Sequence, residues 1–217
     1  MRDDRDVPLV ARERERKFAL DPGLPVPLLT GTGPVTAQRE PVTSRLDATY
    51  FDTADRRLAR AGITLRRRSG GPDAGWHLKL PAGPDARDEI RLPPDAVGDP
   101  VPPALAGRVR AETGGADLAA IARLRTDRTS YVLADEEGHP VAVLTDDDVR
   151  GETSGVDARR RNWRELELEL EPAANTGLLD LLGEALIRAG ARPVRWPSKL
   201  SRLLAEEVPD TPAAGRS

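Results

Sequence analysis

The chain has 217 residues, no Cys, two His, and 32% charged residues that nearly balance to a net charge of −3. The missing Cys excludes a disulfide framework, a thiolate zinc site and a cysteine nucleophile; the lack of a basic excess argues against non-specific nucleic-acid binding. The start MRDDRDVPLV has no apolar leader, and no apolar run approaches the ~20 residues that cross a bilayer, so a cytoplasmic protein without membrane contact is expected.

The first element is a strand through Glu13-Arg14-Glu15-Arg16-Lys17. Side chains at alternate positions of a strand share a face, so Glu13, Glu15 and Lys17 project together while Arg12, Arg14 and Arg16 take the other side. The Pro/Leu-rich run from Asp21 to Leu29 reads as a short helix or turn, and Thr30 to Pro34 as a loop. Thr43 to Asp52 is a strand ending in aromatics. Thr53 is placed to cap a short helix over 54–61, and Gly62 to end it.

Ile63 to Arg68 returns to alternation, with Ile63 and Leu65 on one face and Thr64, Arg66 and Arg68 on the other. The Gly-rich segment Ser69 to Gly75 signals a hairpin into Trp76-His77-Leu78-Lys79-Leu80. A second turn, Pro81 to Asp85, precedes a strand with Arg87, Glu89 and Arg91 on one side. The Pro- and Ala-rich stretch from Pro93 to Ala122 predicts one or two short helices covering an end of the sheet.

Arg123 to Ala134 resumes strand character, with Arg128 and Ser130 facing away from Tyr131 and Leu133. Arg125 and Arg128 share a face only across a bulge, and Arg128 is the preferred inward residue. Gly138 marks a hairpin into Val141 to Val149, and Gly151 to Arg161 reads as a polar loop. In Trp163 to Leu170, Glu165, Glu167 and Glu169 oppose Leu166, Leu168 and Leu170. Asn175 or Thr176 caps an amphipathic helix that Gly190 ends, and Trp196-Pro197-Ser198 starts a last helix. Residues 1–7 are expected to be a flexible lead, 8–206 one domain and 207–217 a disordered tail.

About eight strand-like segments joined by hairpin-length turns favour an antiparallel sheet. Their charged faces are sorted by strand. The first and last are acidic (Glu13, Glu15; Glu165, Glu167, Glu169), and the middle ones basic (Arg66, Arg68; His77, Lys79; Arg87, Arg91; Arg128). A plain sheet could simply present this charge to water. Closure, however, would set the acids opposite the bases around one lumen, with the apolar outer faces under helices. Such a lumen suits a polyanion carried with divalent cations: acids for the metal, bases for the phosphates. Like charges confined there repel, so a ligand is expected to order the cavity.

Five sequence features resemble the CYTH family, the triphosphate tunnel metalloenzymes. They are E-x-E-x-K at Glu13, Glu15 and Lys17; Thr49-Tyr50-Phe51-Asp52-Thr53 followed by Leu58, Gly62 and Leu65-Arg66-Arg67-Arg68; Leu78-Lys79-Leu80-Pro81; the late pair Glu165 and Glu167; and Pro197-Ser198-Lys199. All follow the family's order. The resemblance implies an α+β, β-dominated fold, a closed antiparallel tunnel of eight strands with flanking helices. It also implies Mg²⁺ or Mn²⁺ on Glu13, Glu15, Glu165 and Glu167, with Glu169 in support. Lys17, Arg66, Arg68, Lys79, Arg128 and Lys199 would hold triphosphate oxygens, and Arg87 and Glu89 fall at mixed-charge tunnel positions. The run Asp146-Asp147-Asp148 departs from the family's commoner L-D-E-V; alternation with Ala142 and Leu144 is taken to bring Asp146 and Asp148 inside, with Asp146 preferred. Trp76 and Trp163 are read as outer-face or rim packing.

The function implied is metal-dependent hydrolysis of triphosphate, with inorganic tripolyphosphate the preferred substrate and Glu13, Glu15, Lys17, Glu165 and Glu167 the catalytic group. Water would attack the terminal phosphorus without a protein nucleophile. Thiamine triphosphatase or class IV adenylyl cyclase chemistry needs a stacking pocket, for which few aromatics are provided. A polyphosphate-binding module without turnover is the alternative from another class; many bacterial relatives carry a further helical phosphate-binding domain that this sequence does not show. Inorganic triphosphate or polyphosphate is the expected partner, and a monomer or homodimer is expected.

Overall fold

A computed structural model of the chain describes residues 9–96, 100–155 and 158–205. The expected flexible lead and disordered tail lie outside these residues, as do both limits of the expected domain.

Among the described residues ten strands and five short helices follow one another as β1 (Leu9–Ala19), β2 (Ala37–Gln38), β3 (Val42–Asp52), α1 (Arg57–Arg60), β4 (Thr64–Ser69), β5 (Gly75–Pro81) and β6 (Ala86–Leu92). The chain continues with α2 (Pro103–Arg108), α3 (Arg110–Thr113), β7 (Ala119–Ala134), β8 (Pro140–Thr153), β9 (Arg160–Leu170), α4 (Gly177–Arg188), β10 (Arg192–Pro193) and α5 (Lys199–Leu204). Eight of the strands close on themselves in the order β1-β6-β5-β4-β3-β7-β8-β9, and β9 pairs back with β1. Every pairing is antiparallel. The expected eight-stranded tunnel is therefore the fold.

Closure rests on β1 dividing its length between two partners. Leu9 to Arg14 pair with Arg91 to Ala86 of β6, whereas Glu15 to Ala19 pair with Glu169 to Glu165 of β9. A barrel has no free sheet edge to protect, but here β1 and β6 part beyond Arg14 and Ala86.

Strand alternation splits the apolar residues between two outer clusters and one inner one. Outward-facing Phe18, Ala142, Leu144, Leu166 and Leu168 are covered by Leu178, Leu179, Leu182 and Leu186 of α4. Phe51, Leu65, Trp76, Leu78 and Ile90 are covered by Leu58 of α1 and Leu105 of α2. Each such fully buried side chain contributes roughly 1.5–3 kcal/mol. The third cluster joins inward-facing Tyr50, Leu124, Val149 and Trp163 to Leu200 and Leu203 of α5. Helix α5 thus plugs one end of the tunnel, and Gly151 makes room for it, since a Cβ there would stand 3.1 Å from Leu203. Trp76 packs on the outer face as expected; Trp163 is instead on the inner face, at the plug.

The run from Asp21 to Leu29 takes the turn of its two expected forms. Several other local expectations shift. Helix α1 starts later than the cap at Thr53 predicts. Buried Asp52 accepts hydrogen bonds from the backbone N–H of Leu58 and Ala59 at 2.9 Å, and Thr53 Oγ1 accepts from Arg57 N. Gly62 ends the helix at φ 72, a backbone region that favours glycine. The polar loop after β8 is shorter than predicted, because the hairpin ladder continues to Glu152 opposite Arg160. Ser198 caps α5 in a reciprocal capping box with Ser201. Among the described residues no helix is long and apolar enough to cross a membrane.

Candidate functional site

The lumen is built from the alternate positions that the strand periodicity singles out. Glu13, Glu15 and Lys17 of β1, Arg66 and Arg68 of β4, Lys79 of β5, Arg87, Glu89 and Arg91 of β6, Arg128 of β7, Glu167 and Glu169 of β9, and Lys199 of α5 all line it. Their alternation partners lie outside: Arg12 pairs with Asp88, and Arg16 with Asp85 and Asp180. The free volume left in the lumen is about 70 Å³, far below the ~300–1,000 Å³ of small-molecule sites. The side chains fill it by pairing with one another.

At the plugged end, Arg128 makes a two-pronged contact with Asp147 at 2.7 and 2.6 Å and reaches Glu167 at 2.7 Å. Lys199 Nζ sits among Asp147 (2.8 Å), Glu165 (2.9 Å) and Glu167 (2.7 Å). Lys17 bridges Glu15 (2.5 Å) and Glu167 (3.2 Å). Further along, Lys79 pairs with Glu13 and stands 3.6 Å from Glu89, and Arg91 pairs with both. His77 Nδ1 is 2.8 Å from Glu89 and its Nε2 is 2.8 Å from the Asp73 carbonyl. Asp73, on the β4–β5 hairpin, caps this mouth through Arg68.

One cation stands apart. Among the described residues Arg66 has no carboxylate within ion-pair distance; its Nη1 donates to Tyr50 Oη at 3.2 Å. The Nε atoms of both Arg66 and Arg68 are buried without a hydrogen-bond acceptor. Buried donors are normally satisfied, so this basic wall lacks acceptors that an anion would supply.

The network sorts the acids electrostatically. Burial pushes the Glu15 and Glu167 carboxyls up, but Lys17 and the neighbouring cations outweigh it, holding Glu15 at about 2 and Glu167 well below the usual range. Glu169 goes the other way: burial, then repulsion from Glu13, pushes it to about 7, with Glu15 and Glu167 adding to the repulsion. Burial likewise raises Glu13, against the opposing pull of Lys79.

A carboxyl that binds its proton more tightly when folded stabilises the protein in its protonated form. Glu169 contributes fully below its ordinary value of 4.5, and the contribution is lost as pH rises through about 7. In EDTA, urea unfolding should therefore show the wild-type protein losing more stability between about pH 5 and pH 8 than Glu169→Gln does. Equal losses would show that Glu169 is not crowded.

Two acidic groups result, where the sequence implies one. Glu15 lies opposite Glu169 in the β1–β9 register, with Glu13 beyond. Asp147, Glu165 and Glu167 form the other, with carboxyl oxygens within 4.8 Å of one another. Glu165 Oε1 there is buried without an aligned hydrogen bond. Hard oxygen donors at this spacing suit a divalent cation, and a cation would relieve the repulsion that adds to burial in raising Glu169.

The structure places Asp147, not Asp146, in the lumen. Asp146 shares its parity with Ala142 and Leu144, which face outward under α4, and it pairs with Arg164 at 2.8 Å on the outer surface. Asp148 has the same outward parity. Sequence reasoning also passes over Asp73, a lone acid in a glycine-rich hairpin with no period to betray its facing.

The CYTH domain family model matches residues 11–191. Two curated relatives from Mycobacterium tuberculosis, the uncharacterized proteins MT2285 (strain CDC 1551 / Oshkosh) and Rv2226 (strain ATCC 25618 / H37Rv), are each 42% identical over 218 residues. The match covers 94% of this chain but 42% of theirs, so the chain spans less than half the length of these relatives. Among solved structures, PH1819 from Pyrococcus horikoshii OT3 has a TM-score of 0.53 at 16% identity, covering 88% of this chain and 98% of that one. HpAC1 from Hippeastrum, an adenylyl cyclase candidate said to reveal a dominant triphosphatase activity, has a TM-score of 0.50 at 22% identity, covering 88% and 94%. Both share the fold.

Proposed function

The chain belongs to the CYTH family, and from that premise we propose that it is a metal-dependent hydrolase of triphosphate, with inorganic tripolyphosphate as substrate. The observation that carries this reading is the basic wall with missing acceptors, Arg66 and Arg68, which the closed strand order sets in one lumen with the acidic strands β1 and β9. A chain of phosphates supplies many oxygen acceptors to guanidinium forks. The triphosphatase activity ascribed to the Hippeastrum relative points the same way.

Binding is an exchange of partners. In the lumen Lys17, Lys79, Arg91, Arg128 and Lys199 are held by carboxylates. Phosphate oxygens would take over these cations together with Arg66, Arg68 and Arg87. The released carboxylates, Glu13, Glu15, Glu165 and Glu167 with Glu169 and Asp147, would hold Mg²⁺ or Mn²⁺. When bound, such an ion neutralises phosphate charge and supplies an activated water. The cationic side chains would stabilise the charge that gathers on the transferred phosphoryl group and on the leaving pyrophosphate. The acidic wall would orient the attacking water.

Phosphorus NMR of tripolyphosphate incubated with the protein and Mg²⁺ or Mn²⁺ should show orthophosphate and pyrophosphate appearing in equal amounts. Absence of turnover with either ion would remove the hydrolase reading.

A further inference from the structure

Asp73 is an acid in the lumen wall that the proposed reaction does not use. Leu200 and Leu203 of α5 fill one end of the tunnel; the β4–β5 hairpin that carries Asp73 stands over the other. The Asp73 carboxylate pairs with Arg68 and lies 3.9 Å from Arg91. Burial pushes this carboxyl up, but Arg68 outweighs that effect and holds it below the usual range, so it is charged at neutral pH.

The hairpin is a fixed post and not a swinging lid. A Cβ on Gly70 would collide with the Arg45 carbonyl oxygen, and one on Gly75 with the Leu92 carbonyl oxygen. Both ends of the hairpin therefore press against neighbouring backbone where only glycine fits. Between them the Asp73 carbonyl accepts from Arg68 Nη2 at 3.1 Å and lies 2.8 Å from His77 Nε2. Backbone contacts thus hold Asp73 in place independently of its carboxylate.

Arg68 divides its guanidinium between two sides. Nη2 is taken by Asp73, whereas Nε is buried without an acceptor. A phosphate can use the second without displacing the acid from the first. Toward the mouth the lumen-facing parity continues through Ala11 and Leu9 of β1, Ser130 and Val132 of β7 and Val143 of β8, none of them charged.

We infer that Asp73 is a specificity-determining residue, a fixed negative charge that ends the run of phosphate-holding cations and limits the length of the chain the tunnel accepts. The inference rests on the triphosphate reading of the lumen and goes beyond it by naming what sets the chain length. A chain entering by its end stops at the α5 plug, so phosphates in excess trail outward past Arg68. There Asp73 repels them, and those strand positions supply no cation in compensation. Tripolyphosphate leaves the least charge outside.

The test compares tripolyphosphate with a longer linear polyphosphate of defined length, using the wild type, Asp73→Asn and Asp73→Glu. Asn removes the charge and keeps the backbone contacts; Glu keeps the charge. In steady-state rates with Mg²⁺ the wild type should favour tripolyphosphate. Asp73→Asn should raise kcat/KM for the longer chain relative to tripolyphosphate about 10-fold, mainly through KM, the scale of one partly screened charge contact. Asp73→Glu should keep the wild-type preference. Calorimetric titration in EDTA reads the same preference as affinity, without turnover. A wild type that takes both chains equally, an unchanged ratio in Asp73→Asn, or an Asp73→Glu variant that behaves as Asp73→Asn overturns the inference. Absence of turnover with the affinity pattern intact overturns the hydrolase reading alone, and a wild type that binds neither chain overturns both.

Discussion

Arg66→Met should lower kcat/KM for tripolyphosphate by about 10²–10³-fold, the loss seen when one well-placed donor to a developing charge is removed. The physical case is specific to this residue. Lys17, Lys79, Arg91, Arg128 and Lys199 must each give up a carboxylate before they hold a phosphate, so part of what each phosphate contact contributes is offset by an ion pair lost. Arg66 gives up none. Its guanidinium lies 5.9 Å from the Tyr50 ring centroid and bonds the Tyr50 hydroxyl. Burial works against its charge, but Tyr50, Glu89 and Glu167 raise its affinity for the proton, so it is a fixed cation ready for an anion. Met keeps most of the aliphatic volume, and a thermal melt checks that the barrel is intact. Steady-state kinetics read the loss; unchanged kcat/KM in a folded variant would show that the triphosphate does not lie on this wall.

Glu13→Gln/Glu15→Gln should abolish tight Mn²⁺ binding and reduce turnover by about 10³-fold or more, since charge stabilisation by a bound ion is worth several kcal/mol. These two carboxylates sit with Glu169 on the β1–β9 wall, where burial, with repulsion from its acidic neighbours, holds Glu169 at about 7. The amides keep the shape and remove the charge. They also weaken the hold on Lys17, Lys79 and Arg91, so the variant should retain or gain affinity for tripolyphosphate itself. Weaker turnover together with equal or tighter anion binding separates a metal role from a structural one. Mn²⁺ binding followed by electron paramagnetic resonance checks the first half, and calorimetric titration with tripolyphosphate the second.

Most of the lumen is legible in the sequence because a strand has a period of two and nothing in the hairpins resets it. Glu13, Glu15 and Lys17, or Glu165, Glu167 and Glu169, cannot be separated from one another by a strand, and the structure keeps each set on one face. Asp146 fails for an equally physical reason. Three consecutive acids contain no alternation of their own, so their facing follows from Ala142 and Leu144. Those two are apolar because α4 covers the outside of the barrel there, and beyond the helix the same outward face carries Asp146 and Asp148 into solvent.

Other features depend on contacts distant in sequence. Trp163 faces inward because α5, more than thirty residues later, brings Leu200 and Leu203 against it; its indole N–H donates to Glu165 at 2.5 Å. The division of β1 between β6 and β9 creates both the tunnel closure and the parting of β1 from β6, yet nothing in Arg14-Glu15 marks the change of partner. Nor does the sequence reveal that most of the lumen acids are matched to bases. That matching comes from the three-dimensional register, with Lys17 opposite Glu167 and Lys79 opposite Glu89.

The measurement that bears most directly on the lumen as a reaction site is the initial rate of phosphate release from tripolyphosphate. It compares the wild-type protein with Glu13→Gln/Glu15→Gln, each in Mg²⁺, Mn²⁺ and EDTA. Rapid release by the wild type with a divalent ion, none in EDTA, and none by the folded double variant under any condition is the predicted result. Release that persists in EDTA, or a double variant as fast as the wild type, would contradict a metal-dependent reaction on the acidic wall of the tunnel.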